Sequence, residues 1–199
     1  MIIGILALQG AFLEHKVILE KLGVNTILLK KEEDIESCDG IIIPGGESTA
    51  MSIIENNIFS KMREYITKGY PVWGTCAGLV LLADEINGKI ENQKNIGGLG
   101  IKIERNYFGS QMNSFIVEME YPKDLEMEGK FKAVFIRAPV ILDVNTNTKI
   151  LLKYKDNIVG VRKENLIGTS FHPELTKDYN WHKYFLDIVE RNKKENKKN

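Results

Sequence analysis

Between residues 2 and 83 the chain alternates short, unbroken apolar runs with segments whose apolar residues recur at helical spacing, an order that few folds accept. IIGILAL (2–8) is β-branched and continuous, and AFLEHKVILEKLG (11–23) then spaces Phe12, Ile18, Leu19 and Leu22 as a helix does before a Gly stop. VNTILLK (24–30) and DGIIIPGG (39–46) read as two more buried strands, with the acidic stretch 31–38 as a loop or short helix. The spacing predicts one long crossover helix over 48–69, with Ser48 and Thr49 as possible N-caps and Met51, Ile54, Ile58, Met62 and Tyr65 on its apolar face. PVWG (71–74) returns as a strand, and AGLVLLADEI (77–86) continues as a helix. Strands that lack inside-outside alternation and are joined by helices imply a mostly parallel sheet covered on both faces.

From about residue 97 the pattern changes. GGLGIKIERN, SFIVEMEY, KAVFIRAPV, KILLKYK, NIVGVRKE and LIGTSFHPE are short strand-like pieces separated by Asn, Gly, Asp and Lys clusters, expected to form antiparallel pairs beside the parallel core. YNWHKYFLDIVERN (179–192) is the closing helix, and KKENKKN (193–199) is a charged tail expected to be disordered. The fold class expected is a single α/β domain: a doubly wound, mostly parallel, flavodoxin-like sheet with helices on both faces and antiparallel strands in its second half. A chain of 199 residues suits one domain.

Charge excludes little but steers away from two partners. The 27 basic side chains are balanced by 27 acidic ones, so no global field favours nucleic acid or a membrane surface. MIIGILALQG has no basic leader and falls far short of the ~20 apolar residues of a membrane span. With only Cys38 and Cys76, the chain lacks a disulfide scaffold, and a reducing cytoplasm is the expected setting. HExxH, CxxC and EF-hand spacings are missing from the sequence, so metal-free chemistry without a cofactor is expected.

Three motifs carry chemistry. GTCAG (74–78) has the form of a nucleophile elbow, a sharp strand-to-helix turn that holds Cys76 above the sheet. Both glycines have a reason to be there, since a Cβ on either flank would clash where strand and helix meet. The helix that follows would favour thiolate at Cys76. The pentapeptide alone leaves a buried structural cysteine equally open, because free Cys is often buried. His172 in SFHPE is the one histidine with a carboxylate, Glu174, set to orient it through a stiff proline link, and a nucleophile, a base and an orienting carboxylate are the parts of a hydrolytic triad. His15 and His182 are assigned to helix surfaces or partner contacts, and Cys38 to structure. PGGES (44–48) lacks the Gly-Lys-Ser/Thr of a phosphate loop; the backbone N–H groups of Gly46 and Ala77 could instead form an oxyanion hole.

GTCAG, FHPE and PGGES together resemble the class I (triad) glutamine amidotransferases. LALQGAFLEH (6–15), IPGGEST (43–49), ERNYFGSQMNSF (104–115), VFIRAP (134–139) and SFHPELTKD (170–178) narrow the resemblance to the glutaminase subunits of pyridoxal 5′-phosphate synthase, from residue 2 to about 190. The resemblance implies a glutaminase domain over residues 1–192 that hydrolyses L-glutamine to glutamate and ammonia and passes the ammonia to a barrel-shaped synthase subunit making the vitamin B6 cofactor. It assigns attack on the amide to Cys76, proton donation to His172 and orientation of His172 to Glu174. It places the glutamine against Gly46, Glu47, Ser48, Arg105, Ile136 and Arg137; a cation for the carboxylate and an acceptor for the ammonium are what an α-amino acid requires. It further implies a glutaminase that is weak alone and switched on when the synthase docks. Ala77 is preset by the elbow, whereas the Gly-Gly peptide at Gly46 is free to reorient.

The sequence departs from that family's pattern at Leu13, Ser110 and Asn113, none of them in the triad. Two alternatives remain: the glutaminase partner of another synthase, such as that for imidazole glycerol phosphate, and a non-enzymatic binding protein with a cysteine elbow. LQGAFLEH and FIRAP favour the B6 family, and the second alternative leaves His172, Glu174 and PGGES without a purpose.

Overall fold

The computed structural model describes residues 1–55, 57–89, 91–105, 107 and 114–197. In chain order they form β1 (Ile2–Leu6), α1 (Phe12–Lys21), β2 (Asn25–Leu29), β3 (Gly40–Ile43), α2 (Ser48–Ile53), α3 (Ile58–Thr67), β4 (Val72–Thr75), α4 (Ala77–Leu82) and β5 (Glu85–Asn87). There follow β6 (Ile101–Glu104), β7 (Ser114–Glu120), β8 (Lys130–Ile136), β9 (Val140–Val144), β10 (Lys149–Tyr154), β11 (Asn157–Lys163), β12 (Leu166–Thr169) and α5 (Asn180–Asn196). Short 3-10 turns occupy Glu32–Ser37, Lys123–Leu125 and Pro173–Leu175.

Ten strands make one sheet in the order β2-β1-β3-β4-β12-β11-β9-β6-β5, with β10 on β11. The run β2 through β12 is parallel, the pairings from β12 through β11 and β9 to β6 are antiparallel, and the edge strand β5 is again parallel to β6. Its apolar strands feed two cores. Ile41, Ile43 and Val72 pack toward α2, α3 and α4, while Ile3, Ile5, Ile42 and Trp73 pack toward α5 and Leu19 of α1. Alternate residues of one strand thus enter opposite cores, which is why these strands are apolar throughout.

The structure departs from the sequence expectations in five places. The helix expected over 48–69 is two helices, because Asn57 is left-handed (φ 66°) and buried Glu55 accepts the Phe59 N–H, capping α3 afresh. The helix expected over 77–86 ends at Leu82, and Glu85–Asn87 pair with β6 instead. β7 and β8 form a separate two-stranded ribbon. LIGT does not join the antiparallel group alone: β12 is antiparallel to β11 but parallel to β4, inside the central sheet. Finally, α5 continues past residue 192 to Asn196, and Lys193 Nζ lies 2.9 Å from Asp39 Oδ2.

Candidate active site

The pairing of β4 with β12 creates the site. Gly74 lies opposite Gly168 and Thr75 opposite Thr169, so both strands end at one level and release Cys76 and the Ser170–Glu174 loop side by side. The carboxyl ends of parallel strands are where open α/β sheets hold their ligands. Cys76 has φ 46° and ψ −101°, a strained conformation for a residue with a Cβ, between the last residue of β4 and the first of α4. Its N–H donates to the Thr169 carbonyl at 2.8 Å, and its thiol points at the Ile136 carbonyl at 3.7 Å. The glycines behave as expected: a Cβ on Gly74 would lie 2.5 Å from the Gly78 backbone, and one on Gly78 only 2.0 Å from the Ile43 carbonyl oxygen.

His172 and Glu174 follow β12. The His172 N–H donates to the Val134 carbonyl at 2.8 Å, and Pro173 opens the tight turn that brings Glu174 back under the ring. Glu174 Oε1 lies 2.6 Å from His172 Nδ1, with both side chains buried. That bond leaves Nε2 as the nitrogen available to Cys76. Burial works against the imidazolium, but hydrogen bonding and charge at Cys76 and Glu174 outweigh it and raise the His172 pKa to about 10. Gly45 lies so close to the imidazole that an added Cβ would sit 2.2 Å from His172 Cε1.

These residues open onto a cavity of about 330 Å³ lined by Gly46, Glu47, Ser48, Cys76, Ala77, Arg105, Ile136, Arg137 and His172, and also by Gln9, Gly10 and Ala11. Every site residue expected from the sequence is therefore at the cavity wall except Glu174, which stands behind His172. Ser48 is not the cap of α2. The Glu47 carboxylate caps it, accepting the Thr49 N–H at 3.1 Å and the Ala50 N–H at 2.8 Å. Burial alone would raise the Glu47 pKa, but these backbone donors and Arg105 lower it, so the group is ionised at neutral pH. Arg105 bonds Glu47 Oε1 at 3.2 Å and Gln93 Oε1 at 2.9 Å, and Gln93 Nε2 lies 3.4 Å from Ser48 Oγ. Arg137 turns the chain from β8 into β9 with φ 43°, its side chain exposed. The Gly45 carbonyl accepts the Ala11 N–H at 2.9 Å, which ties the Gly45–Gly46 peptide to the loop before α1.

Two sequence assignments fail here. His15 and His182 are not on helix surfaces: both are fully buried, and His15 Nε2 lies 3.5 Å from Glu174 Oε2. The inward stripe His15, Ile18, Leu19 on α1 was visible in the spacing, since residues three and four apart share a face. Gln93, in the polar stretch ENQKN (91–95), carried no comparable signal. Cys38 is buried, with its thiol pushed up to about 11 chiefly by burial. Leu13 is exposed on α1, whereas Ser110 and Asn113 lie outside the described residues.

Comparisons with known proteins agree with this architecture. The model of the SNO glutamine amidotransferase family matches residues 5–191. The chain is 46% identical over 191 residues to the pyridoxal 5′-phosphate synthase subunit PdxT of Carboxydothermus hydrogenoformans, covering 95% of this chain and 98% of that one. It is 39% identical over 219 residues to the probable pyridoxal 5′-phosphate synthase subunit PDX2 of Arabidopsis thaliana, covering 95% and 86%. A crystal structure described as a glutamine amidotransferase superposes with a TM-score of 0.87 at 40% identity, over 94% of this chain and 98% of that one. With its doubly wound sheet and near full-length match, the chain belongs to the SNO glutamine amidotransferase family.

Proposed function

We propose that this chain hydrolyses L-glutamine to L-glutamate and ammonia and delivers the ammonia to a barrel-shaped synthase subunit that builds pyridoxal 5′-phosphate. The observation that carries the reading is Cys76 on a strained turn beside a buried His172–Glu174 pair, at the wall of a cavity that also holds Arg105 and Glu47. The relatives named as pyridoxal 5′-phosphate synthase subunits support the choice of product.

Glutamine enters with its α-carboxylate toward Arg105 and its ammonium toward Glu47, leaving the side-chain amide over Cys76. At neutral pH the proton already sits on His172 Nε2, and Cys76 Sγ adds to the amide carbon as the thiolate. The oxygen of the tetrahedral intermediate takes its hydrogen bonds from the N–H groups of Ala77 and Gly46. His172 then protonates the departing nitrogen, the C–N bond breaks, and ammonia leaves a glutamyl thioester on Cys76. His172, now neutral, draws a proton from water as it attacks the thioester carbon; the C–S bond breaks, glutamate departs, and the thiolate–imidazolium pair is restored. Glu174 holds Nδ1–H throughout, so the imidazole keeps the tautomer both steps require.

Glutamate release is to be measured for the wild type and Cys76→Ala, each alone and with the synthase partner. The reading predicts a low rate for the isolated wild type, a large rise with partner, and loss of release in Cys76→Ala under both conditions. Retained release in Cys76→Ala removes the triad, and full-rate turnover by the isolated wild type, unchanged by partner, removes the switching step.

A further inference from the structure

The line of polar groups that begins at Cys76 does not stop at Glu174. Only Oε1 of that carboxylate bonds His172; Oε2 is buried and has no hydrogen-bond partner among the described residues. A buried carboxylate oxygen is costly to leave bare. The nitrogen facing it is His15 Nε2 at 3.5 Å, which also lies 3.4 Å from Thr75 Oγ1. On the far side of the same ring, Nδ1 meets His182 Nε2 at 2.9 Å, and Trp73 closes the pocket edge-on to His15.

Proton counting decides how these two rings are arranged. Burial, first, and the neighbouring imidazoles keep His15 neutral, and burial holds His182 near a pKa of about 3, so each ring carries one N–H. One ring must donate across the 2.9 Å contact. If His15 donated from Nδ1, its Nε2 lone pair would face the Glu174 carboxylate, and the His182 Nδ1–H would be a buried donor without an acceptor. If His182 donates from Nε2, His15 keeps its proton on Nε2, between Thr75 Oγ1 and Glu174 Oε2, and only one acceptor, His182 Nδ1, goes unpaired.

We infer that His15 is a positioning residue for the triad: its Nε2–H is directed at the second oxygen of Glu174, and His182 fixes the tautomer that puts the proton there. The inference rests on the proposed Cys76–His172–Glu174 chemistry and extends it by two residues, one from α1 and one from α5. The carboxylate is thereby held from both sides, with His172 on one oxygen and His15 on the other. The contact would tighten as His172 gains charge, because Glu174 must then stay aligned beside the imidazolium. This is how outer partners orient a reacting group's own ligand.

The test uses the full chain with saturating synthase partner and expresses kcat per folded chain, the monodisperse fraction being isolated by size exclusion and its fold checked by circular dichroism. His15→Leu deletes the donor, His15→Asn carries an amide too short to reach Glu174, and His15→Gln returns an N–H near the Nε2 position. Both donor-lacking variants should lose roughly 10- to 100-fold in kcat, the scale found for outer-shell partners, with KM for glutamine within about twofold. The groups facing His172 are Cys76 and Glu174, with His15 and His182 behind them, so misalignment of Glu174 weakens its support of the imidazolium. The alkaline limb of their kcat profiles should therefore move to lower pH, and His15→Gln should restore both rate and limb. Should His15→Leu fail to fold, His15→Asn against His15→Gln decides the matter. Wild-type kcat with an unmoved limb in His15→Asn, while Cys76→Ala is inactive, overturns the inference and leaves the triad standing. Activity in Cys76→Ala overturns the triad, and the inference falls with it.

Discussion

The strain at Cys76 can be measured by comparing two variants that both lack the thiol. In Cys76→Ala the Cβ remains at φ 46°, whereas in Cys76→Gly it is gone. A conformation of this kind costs a residue with a Cβ on the order of 1–3 kcal/mol. Glycine is freer in the unfolded chain, and at an ordinary position that makes Gly about 0.5–1 kcal/mol less stable than Ala. Taking strain at about 2 kcal/mol against that offset leaves about 1 kcal/mol in favour of Gly, reversing the usual order. For a chain of this length, that corresponds to a Tm about 2–4 °C higher for Cys76→Gly than for Cys76→Ala. Urea unfolding followed by circular dichroism, with equal m-values required of the two variants, gives the difference directly. A Cys76→Gly protein less stable than Cys76→Ala by about 0.5–1 kcal/mol would refute the claim that the turn stores strain.

Acid stability should report the buried histidines. His182 has a folded pKa of about 3 against an ordinary 6.5, and a depressed histidine contributes stability that is complete above 6.5 and lost as pH falls toward 3. His15 is lowered in the same direction, so His182→Gln should lose less stability than wild type over that window; equal losses would contradict neutral burial. His172 has the opposite sign, raised from 6.5 to about 10: its contribution is complete below 6.5 and lost as pH rises toward 10. His172→Gln should flatten the alkaline side of the stability curve, and an unchanged alkaline slope would argue against an imidazolium paired with Glu174. Arg105→Gln should raise KM for glutamine roughly 10- to 100-fold, since a hydrogen bond to a charged group is worth about 1.5–3 kcal/mol, with kcat little changed. An unmoved KM would take Arg105 out of the substrate pocket.

The parallel half of the sheet was legible because its strands enter two cores and so show no alternation, leaving β1, β3 and β4 as plain apolar runs. What pattern could not supply was pairing. LIGT looks the same whether it lies beside β11 or β4, and only the pairing with β4 brings His172 to Cys76. The break between α2 and α3 was hidden because Ile54 and Ile58 keep helical spacing across it; the signal is Glu55, a buried carboxylate whose cap lies four residues ahead. His15 was misread for a different reason. No carboxylate is set to orient it through a rigid turn of its own, and Glu174 reaches it only because the Pro173 turn folds back against α1. The juxtaposition of Cys76 with His172 and Glu174 was suggested by local motifs that each have a geometric reason, whereas Gln93, which bonds Arg105 and approaches Ser48, lies in no motif.

The central claim is that Cys76 carries the glutamyl group. Wild-type chain turning over glutamine with its synthase partner can be quenched in acid, digested, and read by mass spectrometry across the peptide that contains residue 76. The account predicts a glutamyl adduct on Cys76 that appears during turnover, increases with partner and decays once glutamine is exhausted. Steady glutamate release with Cys76 unmodified, or an adduct on any other residue, would contradict it.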